Sequence, residues 1–114
     1  MSEYAVVISE PAERDLLGIY TYIADTLKEP QTARRVYVSI KQELLGLSKM
    51  PERHKVIDGS PYSELGIRKL FVENYVAFYT TDKKQETVSV LRILYNRREW
   101  QSILFKGSDP NTDS

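Results

Sequence analysis

The sequence contains no cysteine, and this absence excludes several kinds of chemistry together. Disulfide bonds, thiolate zinc sites and cysteine nucleophiles are all ruled out. His54 is the only histidine and no glycine-rich phosphate-binding motif is present, so we expect neither a metal ion nor an organic cofactor. No apolar run approaches the roughly 20 residues of a membrane-spanning helix, and the N-terminus does not have the build of a signal peptide. We therefore expect a cytoplasmic protein with no membrane partner.

An excess of charge of either sign is missing as well. The chain of 114 residues carries 16 Lys and Arg against 16 Asp and Glu, so the whole molecule exerts no long-range attraction on nucleic acid. Residues 66–100 hold seven Lys and Arg against four Asp and Glu, which gathers a modest positive charge there. That distribution is compatible with a phosphate-facing surface but falls far short of a nucleic-acid-binding domain.

Three segments in the second half of the chain are rich in β-branched and aromatic residues and predict strands. They are Arg68–Val72, residues 75–81 and Thr87–Tyr95. Their short connections join antiparallel neighbours, which predicts a meander. Apolar residues occur on both faces, so we expect helices to cover one face and the other to be only partly exposed. Alternation along the last strand places four side chains on one face: Val88, Val90, Arg92 and Leu94.

The first half of the chain predicts one strand and two helices. Residues 4–8 are a short apolar run that predicts a strand buried on both faces. Residues 10–27 have helical periodicity and contain Gly18, which indicates either close packing or a tolerated surface position. A second helix begins near Pro30 and must end before Pro51. The linker between the two helices is short, which predicts an antiparallel helical hairpin. Residues 53–65 are irregular, with a possible extended piece at 54–57 and a turn at 58–61.

The fold class that follows is α+β. An N-terminal strand joins the three-stranded antiparallel meander, the helical hairpin covers one face of the sheet, and a short C-terminal helix follows near Ile103, Leu104 and Phe105. We expect a single domain in residues 1–105. Residues 106–114 contain no apolar side chain, so we expect a disordered tail there.

Five segments, in the same order, resemble the RelE/ParE superfamily of toxins. They are YAVVISEPAERDL (residues 4–16), IYTYIA (19–24), GIRKL (66–70), NYVAFY (74–79) and VLRILYNRREW (90–100). The resemblance spans residues 4–105 and implies the toxin of a type II toxin–antitoxin module. Such a toxin has a small cognate antitoxin as its partner, and a homodimer or a toxin–antitoxin hetero-oligomer is the implied assembly.

One branch of this superfamily consists of ribosome-dependent mRNA endoribonucleases. Cleavage of RNA needs a proton acceptor, a proton donor and cations beside the phosphate. The resemblance assigns the phosphate to Lys69, Arg97 and Arg98, and proton transfer to Tyr95 or His54. Two departures weaken this interpretation. Val76 stands where the nucleases carry an Arg in a YRxxY pattern, and Leu104 and Phe105 stand where many carry a late Tyr.

The other branch is ParE-like and poisons DNA gyrase without hydrolysing a bond itself. The two departures and the neutral charge favour this branch, and the ending LRILYNRREW is similar to a ParE-type ending. We expect the target-binding residues to be Arg92, Arg97, Arg98 and Trp100. A third hypothesis is an inactive homologue that only binds its antitoxin.

Each of these residues also has a structural interpretation. Arg92 lies on an otherwise apolar strand and can be an ion-pair or sheet-edge residue, because buried charge is kept only when it is paired. Arg68 can act in the same way, with a glutamate of the first helix as its partner. Tyr95 can pack against the helices, and Trp100 can anchor the core.

Overall fold

A four-stranded sheet forms the centre of the structure, a computed structural model that describes residues 3–96. The strands β1 (Ala5–Ile8), β2 (Arg68–Val72), β3 (Tyr75–Asp82) and β4 (Thr87–Tyr95) lie in the order β1-β4-β3-β2. β2, β3 and β4 form the predicted antiparallel meander, and β1 joins it parallel to β4. The predicted C-terminal helix and tail lie outside the described residues.

Two helices connect β1 to the meander. α1 (Glu10–Thr21) begins at Ser9, whose side chain accepts a hydrogen bond from the Ala12 N–H at 3.2 Å. A wide π-helical turn, Tyr22–Thr26, completes the predicted first helix, and α2 (Pro30–Leu45) continues into a short 3-10 turn, Gly46–Ser48. Gly18 is an exposed position, so the surface interpretation of this glycine is the one that holds. None of the described helices is both long and apolar enough to span a bilayer.

The sheet is packed on both faces, as the strand composition predicts. The helix-facing core joins α1 and α2 to one face and includes Leu16, Ile40 and Tyr79. A smaller apolar cluster covers the other face and consists of Ile57, Ile67, Val76, Phe78 and Leu94. The segment before β2 supplies part of this second cluster. Its 3-10 turn Pro51–Arg53 and its four-residue helix α3 (Tyr62–Leu65) were not predicted, whereas a bridge from Val56 to Arg68 confirms the extended piece.

The prediction that the first strand is buried on both faces is wrong. β1 is an edge strand that pairs, among the described residues, with β4 alone. Val6 and Ile8 pack against the helix-facing core, while Val7 points the other way and is 52% exposed. The apolar run predicted two buried faces, but the smaller apolar cluster on the other face of the sheet includes no residue of β1, so only the helix-facing side chains of this strand are covered.

A β-bulge also corrects the predicted alternation along β4. Phe78 is opposite Arg92, but the next residue of β3, Tyr79, is opposite Val90. Leu91 is therefore an extra residue, and an extra residue reverses the phase of the strand beyond it. Ile93, instead of Arg92, joins Val88 and Val90 in the helix-facing core, and Leu94 joins the second cluster.

Candidate functional site

A cluster of three tyrosines surrounds the C-terminal end of β4. Tyr95 lies opposite Tyr75, with their ring centroids 5.7 Å apart in an edge-to-face arrangement. Burial raises the pKa of Tyr75, and the neighbouring Tyr95 and Tyr22 contribute to the same shift. Tyr22 and Tyr95 remain 53% and 38% exposed. We call Tyr22, Tyr75 and Tyr95 the tyrosine cluster; the rings of Tyr22 and Tyr95 are available at the surface.

The chain leaves β4 beside this cluster. The Asn96 N–H donates to the Asn74 carbonyl at 2.9 Å, which ties the end of β4 to the β2–β3 turn. Arg97, Arg98 and Trp100 follow directly in the sequence but lie outside the described residues. Their predicted roles in target binding or phosphate binding therefore remain predictions.

Arg92 has the structural ion pair that its setting on the strand indicated. Its Nε and Nη2 donate to the two carboxylate oxygens of Asp15 at 2.7 and 3.0 Å. The Asp15 hydrogen bond raises the pKa of Arg92 and outweighs the opposing effect of burial. Asp15 also accepts the backbone N–H of Ile93 at 2.9 Å. The sequence showed Arg92 but not Asp15, because the partners are 77 positions apart.

Tyr79 is a second tyrosine of the sequence pattern, and the fold gives it a structural position. Its side chain is fully buried, and its hydroxyl donates to the Pro51 carbonyl at 2.6 Å. Burial raises the pKa of Tyr79 to about 12. A hydroxyl with that pKa is almost entirely protonated at neutral pH, which makes it a poor proton acceptor.

His54 lies beside Tyr79, with the two ring centroids 6.3 Å apart. Burial, followed by the charge of Arg53, lowers the pKa of His54, so its imidazole is neutral at pH 7. Arg68 holds this segment in place by donating to the carbonyls of Glu52 and His54. The prediction that Arg68 pairs with a glutamate of the first helix is therefore wrong: its hydrogen bonds run to the loop that crosses over β2.

The residues assigned to RNA cleavage do not lie together. Tyr95 is opposite Tyr75, whereas Arg68 beside His54 is opposite Tyr79. Tyr75 and Tyr79 are four residues apart along β3, which corresponds to about 13 Å. Lys69 and Arg68 are neighbours in β2, so their side chains point to opposite faces, and the Lys69 ammonium lies 5.4 Å from the Phe71 ring centre. The described residues also contain no cluster of His, Asp and Glu that could hold a metal ion.

A groove of about 650 Å³ lies along the outer side of α2 and was not predicted from the sequence. Its lining includes Arg34, Arg35, Val38 and Glu73. The Arg35 guanidinium pairs with the Glu73 carboxylate at 2.8 Å, and among residues 3–96 Arg34 has no such ion pair. The one sequence signal for this groove was Val38, an apolar residue among the polar residues of an amphipathic helix. The structure shows that Val38 is exposed.

The fold of this chain is similar to the folds of several solved toxin structures. A chain of the chromosomal ParDE toxin–antitoxin system of P. aeruginosa is 20% identical, with a TM-score of 0.67 over 82% of this chain and 96% of that one. A chain of the RelBE2 toxin–antitoxin complex of Mycobacterium tuberculosis is 25% identical, with a TM-score of 0.62 over 83% and 93%. A mutant of the E. coli toxin RelE in the free state is 17% identical, with a TM-score of 0.55 over 93% of both chains.

The sequence has no significant match among curated proteins. The family model for the ParE toxin of type II toxin–antitoxin systems, by contrast, matches residues 6–100. This match includes most of β1, both long helices and the whole meander, and the solved structures share the same fold. The chain therefore belongs to the ParE toxin family, within the RelE/ParE superfamily of type II toxins.

Proposed function

We propose that the protein arrests growth as a ParE-like toxin that poisons DNA gyrase. The observation that carries this proposal is the separation of the residues assigned to RNA cleavage. His54 lies at the loop over β2, Lys69 on the opposite face of that strand, and Tyr95 at the far end of β4. General acid–base catalysis requires donor and acceptor within hydrogen-bond reach of one substrate. The described residues provide no such arrangement.

The environment of Val76 supports the same proposal. Val76 is fully buried, and its side chain packs in the second apolar cluster with Ile57, Phe78 and Leu94. The nuclease pattern places an Arg at this position, where it would bind phosphate. In this chain the position faces an apolar cluster, and an unpaired charge there would be strongly unfavourable. The match to the ParE family model is in agreement.

The alternative is a RelE-like endoribonuclease, and one observation favours it. The lowered pKa of His54 leaves a neutral imidazole that could accept a proton at pH 7. Arg53 and Arg68 lie next to it and could contact phosphate. This arrangement differs from the one implied by the resemblance, because it excludes Tyr95 and Lys69.

Two assays on the purified protein separate these functions. In a supercoiling assay with purified gyrase, we expect inhibition and the accumulation of cleaved, gyrase-linked DNA. In a purified translation reaction analysed by primer extension, we expect the message to stay intact. Discrete new ends inside translated codons, lost in a His54→Gln variant, would establish the nuclease function instead. A protein that is inert in both assays and does not arrest growth on induction would be the inactive homologue.

We also propose that a cognate antitoxin binds the groove along α2. Two of the similar solved structures are toxin–antitoxin complexes. Because Glu73 neutralises Arg35, Arg34, which has no ion pair within residues 3–96, gives the groove a net positive charge beside the exposed Val38. An acidic segment with an apolar anchor is complementary to that surface. Failure to co-purify with the product of an adjacent small reading frame would contradict this assignment.

A further inference from the structure

Arg68 has an unused side of its guanidinium at the loop that crosses over β2. Its Nη1 donates to the backbone carbonyls of Glu52 and His54. Its Nε, by contrast, is buried and has no hydrogen-bond partner. Nη2 also makes no hydrogen bond within residues 3–96 but is not fully buried, so solvent reaches this side of the guanidinium. Buried donors in folded proteins nearly always have an acceptor, so we expect one to bind here.

Arg92 shows what this side of a guanidinium binds. Its Nε and Nη2 donate to the two carboxylate oxygens of Asp15 at 2.7 and 3.0 Å. These two nitrogens form a planar fork that matches a pair of oxygens on a carboxylate or a phosphate. Arg68 has the same fork, but the ion pairs within residues 3–96 are formed by other cations: Arg14, Arg35, Lys83 and Arg92. The fork of Arg68 is therefore available to a bound anion.

Arg53 brings a second cation to the same loop. It is exposed, and its one side-chain hydrogen bond within residues 3–96 runs from Nε to His54 Nε2 at 3.4 Å. Burial and then the charge of Arg53 lower the pKa of His54. Arg68 lowers this pKa further, whereas Glu43 acts in the opposite direction. Both arginines therefore act on one imidazole, where their positive potentials add.

The carboxylates of this region do not neutralise the two arginines. Glu52 accepts from Arg68 only through its backbone carbonyl, and its carboxylate lies 3.7 Å from the Lys83 ammonium. Glu43 is exposed and forms no ion pair within residues 3–96. The charges of Arg53 and Arg68 are therefore complementary to an anion that another molecule supplies.

We propose that Arg53 and Arg68 bind a terminal phosphate group, that of a nucleotide or of the end of a nucleic-acid strand. Such a group carries a charge of about −1.5 to −2 at pH 7 and three acceptor oxygens. It therefore matches two arginines, whereas a carboxylate or a backbone phosphodiester, with one charge, matches one. The fork of Arg68 holds two oxygens, and the exposed Arg53 reaches the third. The proposal does not depend on whether the target is gyrase or the ribosome, because binding requires no bond cleavage.

His54 is the only histidine of the sequence, so its imidazole signals report on this site. They are followed by NMR in the full chain while inorganic phosphate replaces chloride at constant ionic strength and pH. We expect a saturable shift with a Kd below about 10 mM. The pKa of His54 should rise on binding, because a nearby anion favours the protonated imidazole. A shift that does not saturate, or an unchanged pKa of His54, overturns the proposal.

Arg53→Gln removes one of the two cations and breaks no side-chain hydrogen bond to the backbone. We expect it to weaken phosphate binding by at least ~10-fold. The control is Arg14→Gln, which makes the same change in net charge in a well-exposed pair on α1. This control should change the Kd by less than about twofold, because solvent screens an exposed charge at a distance. Equal weakening by both variants would show a response to total charge alone and overturn the proposal.

A comparison of ligands tests the phosphate assignment and distinguishes its source. Acetate that binds as tightly as phosphate would identify a carboxylate site and overturn the proposal. So would a DNA oligonucleotide that binds equally well with and without a terminal phosphate, because the backbone phosphodiesters are then the ligand. A nucleoside monophosphate that binds more tightly than inorganic phosphate supports the proposal with a free nucleotide as the source. A terminally phosphorylated oligonucleotide that binds most tightly supports it with a strand end as the source.

Discussion

At the scale of single residues, Asp15 connects the helix layer to the sheet. Its carboxylate accepts two hydrogen bonds from Arg92 and one from the Ile93 backbone. The side chains of Arg92 and Asp15 are only 24% and 14% exposed, so the pair is poorly screened by water. The hydrogen bond from the Ile93 N–H satisfies a backbone donor of β4 just beyond the point where β1 ends. One carboxylate therefore compensates both a partly buried cation and an unpaired backbone donor.

We expect Asp15→Ala to lower the free energy of unfolding by about 2–4 kcal/mol, because it leaves Arg92 and the Ile93 N–H without their partner. Urea unfolding followed by circular dichroism measures this change. Arg14→Ala is the control, since Arg14 reaches Glu10 only at 3.8 Å in a well-exposed pair. Its effect should stay within about 0.5 kcal/mol. Equal effects of the two substitutions would contradict the role given to Asp15.

Tyr79 gives a pH-dependent prediction. Its folded-state pKa of about 12 lies above the ordinary value of 10.0, so the folded state keeps the proton longer than the unfolded state. This contribution to stability is complete below pH 10 and is lost as the pH rises towards 12, at about 1.4 kcal/mol per pH unit.

Tyr79→Phe isolates that contribution. At pH 7 the variant should be less stable by about 1–2 kcal/mol, because the Pro51 carbonyl loses its donor. Between pH 10 and 12 the gap between wild type and variant should close and then reverse. Unfolding curves at pH 7, 10 and 11 measure the difference in free energy of unfolding between wild type and variant. A difference that stays constant over this range would refute the assignment.

At the scale of elements, α2 gives the prediction for antitoxin binding. Arg34→Glu reverses the charge of Arg34 in the groove, and we expect binding of an acidic antitoxin to weaken by at least ~10-fold. Arg14→Glu makes the same change in net charge on α1, outside the groove. Isothermal titration at two salt concentrations compares the variants. Equal weakening by both would show that the attraction depends on total charge and not on the groove.

The elements also differ in how far the sequence predicted them. The starts of α1 and α2 follow from Ser9 and Pro30, because capping and proline act within one turn. The bulge at Leu91 was missed, because nothing local distinguishes that leucine from its neighbours in β4. With the bulge at Leu91, Arg92 reaches Asp15 while Val90 and Ile93 both pack in the core. These contacts are made between residues that are distant in the sequence.

At the scale of the whole molecule, the predicted domain limits can be tested by truncation. Residues 106–114 contain no apolar side chain, so we expect them to add no buried apolar surface. A chain ending at Phe105 should melt within about 1–2 °C of the full chain and bind antitoxin equally well. A markedly lower melting temperature would show that the domain extends beyond residue 105.

The sequence by itself determined the order of the elements, the α+β class and the family. Those follow from periodicity, capping, turn residues and short motifs, which act between near neighbours. Only the tertiary structure decided how the candidate residues are grouped. It paired Arg92 with Asp15, directed Arg68 to the loop over β2, buried Val76 and Tyr79, and separated His54, Lys69 and Tyr95. The physical reason is that strand register, the bulge and the packing of both sheet faces are fixed by contacts between residues distant in the chain, and local sequence patterns do not encode those distances.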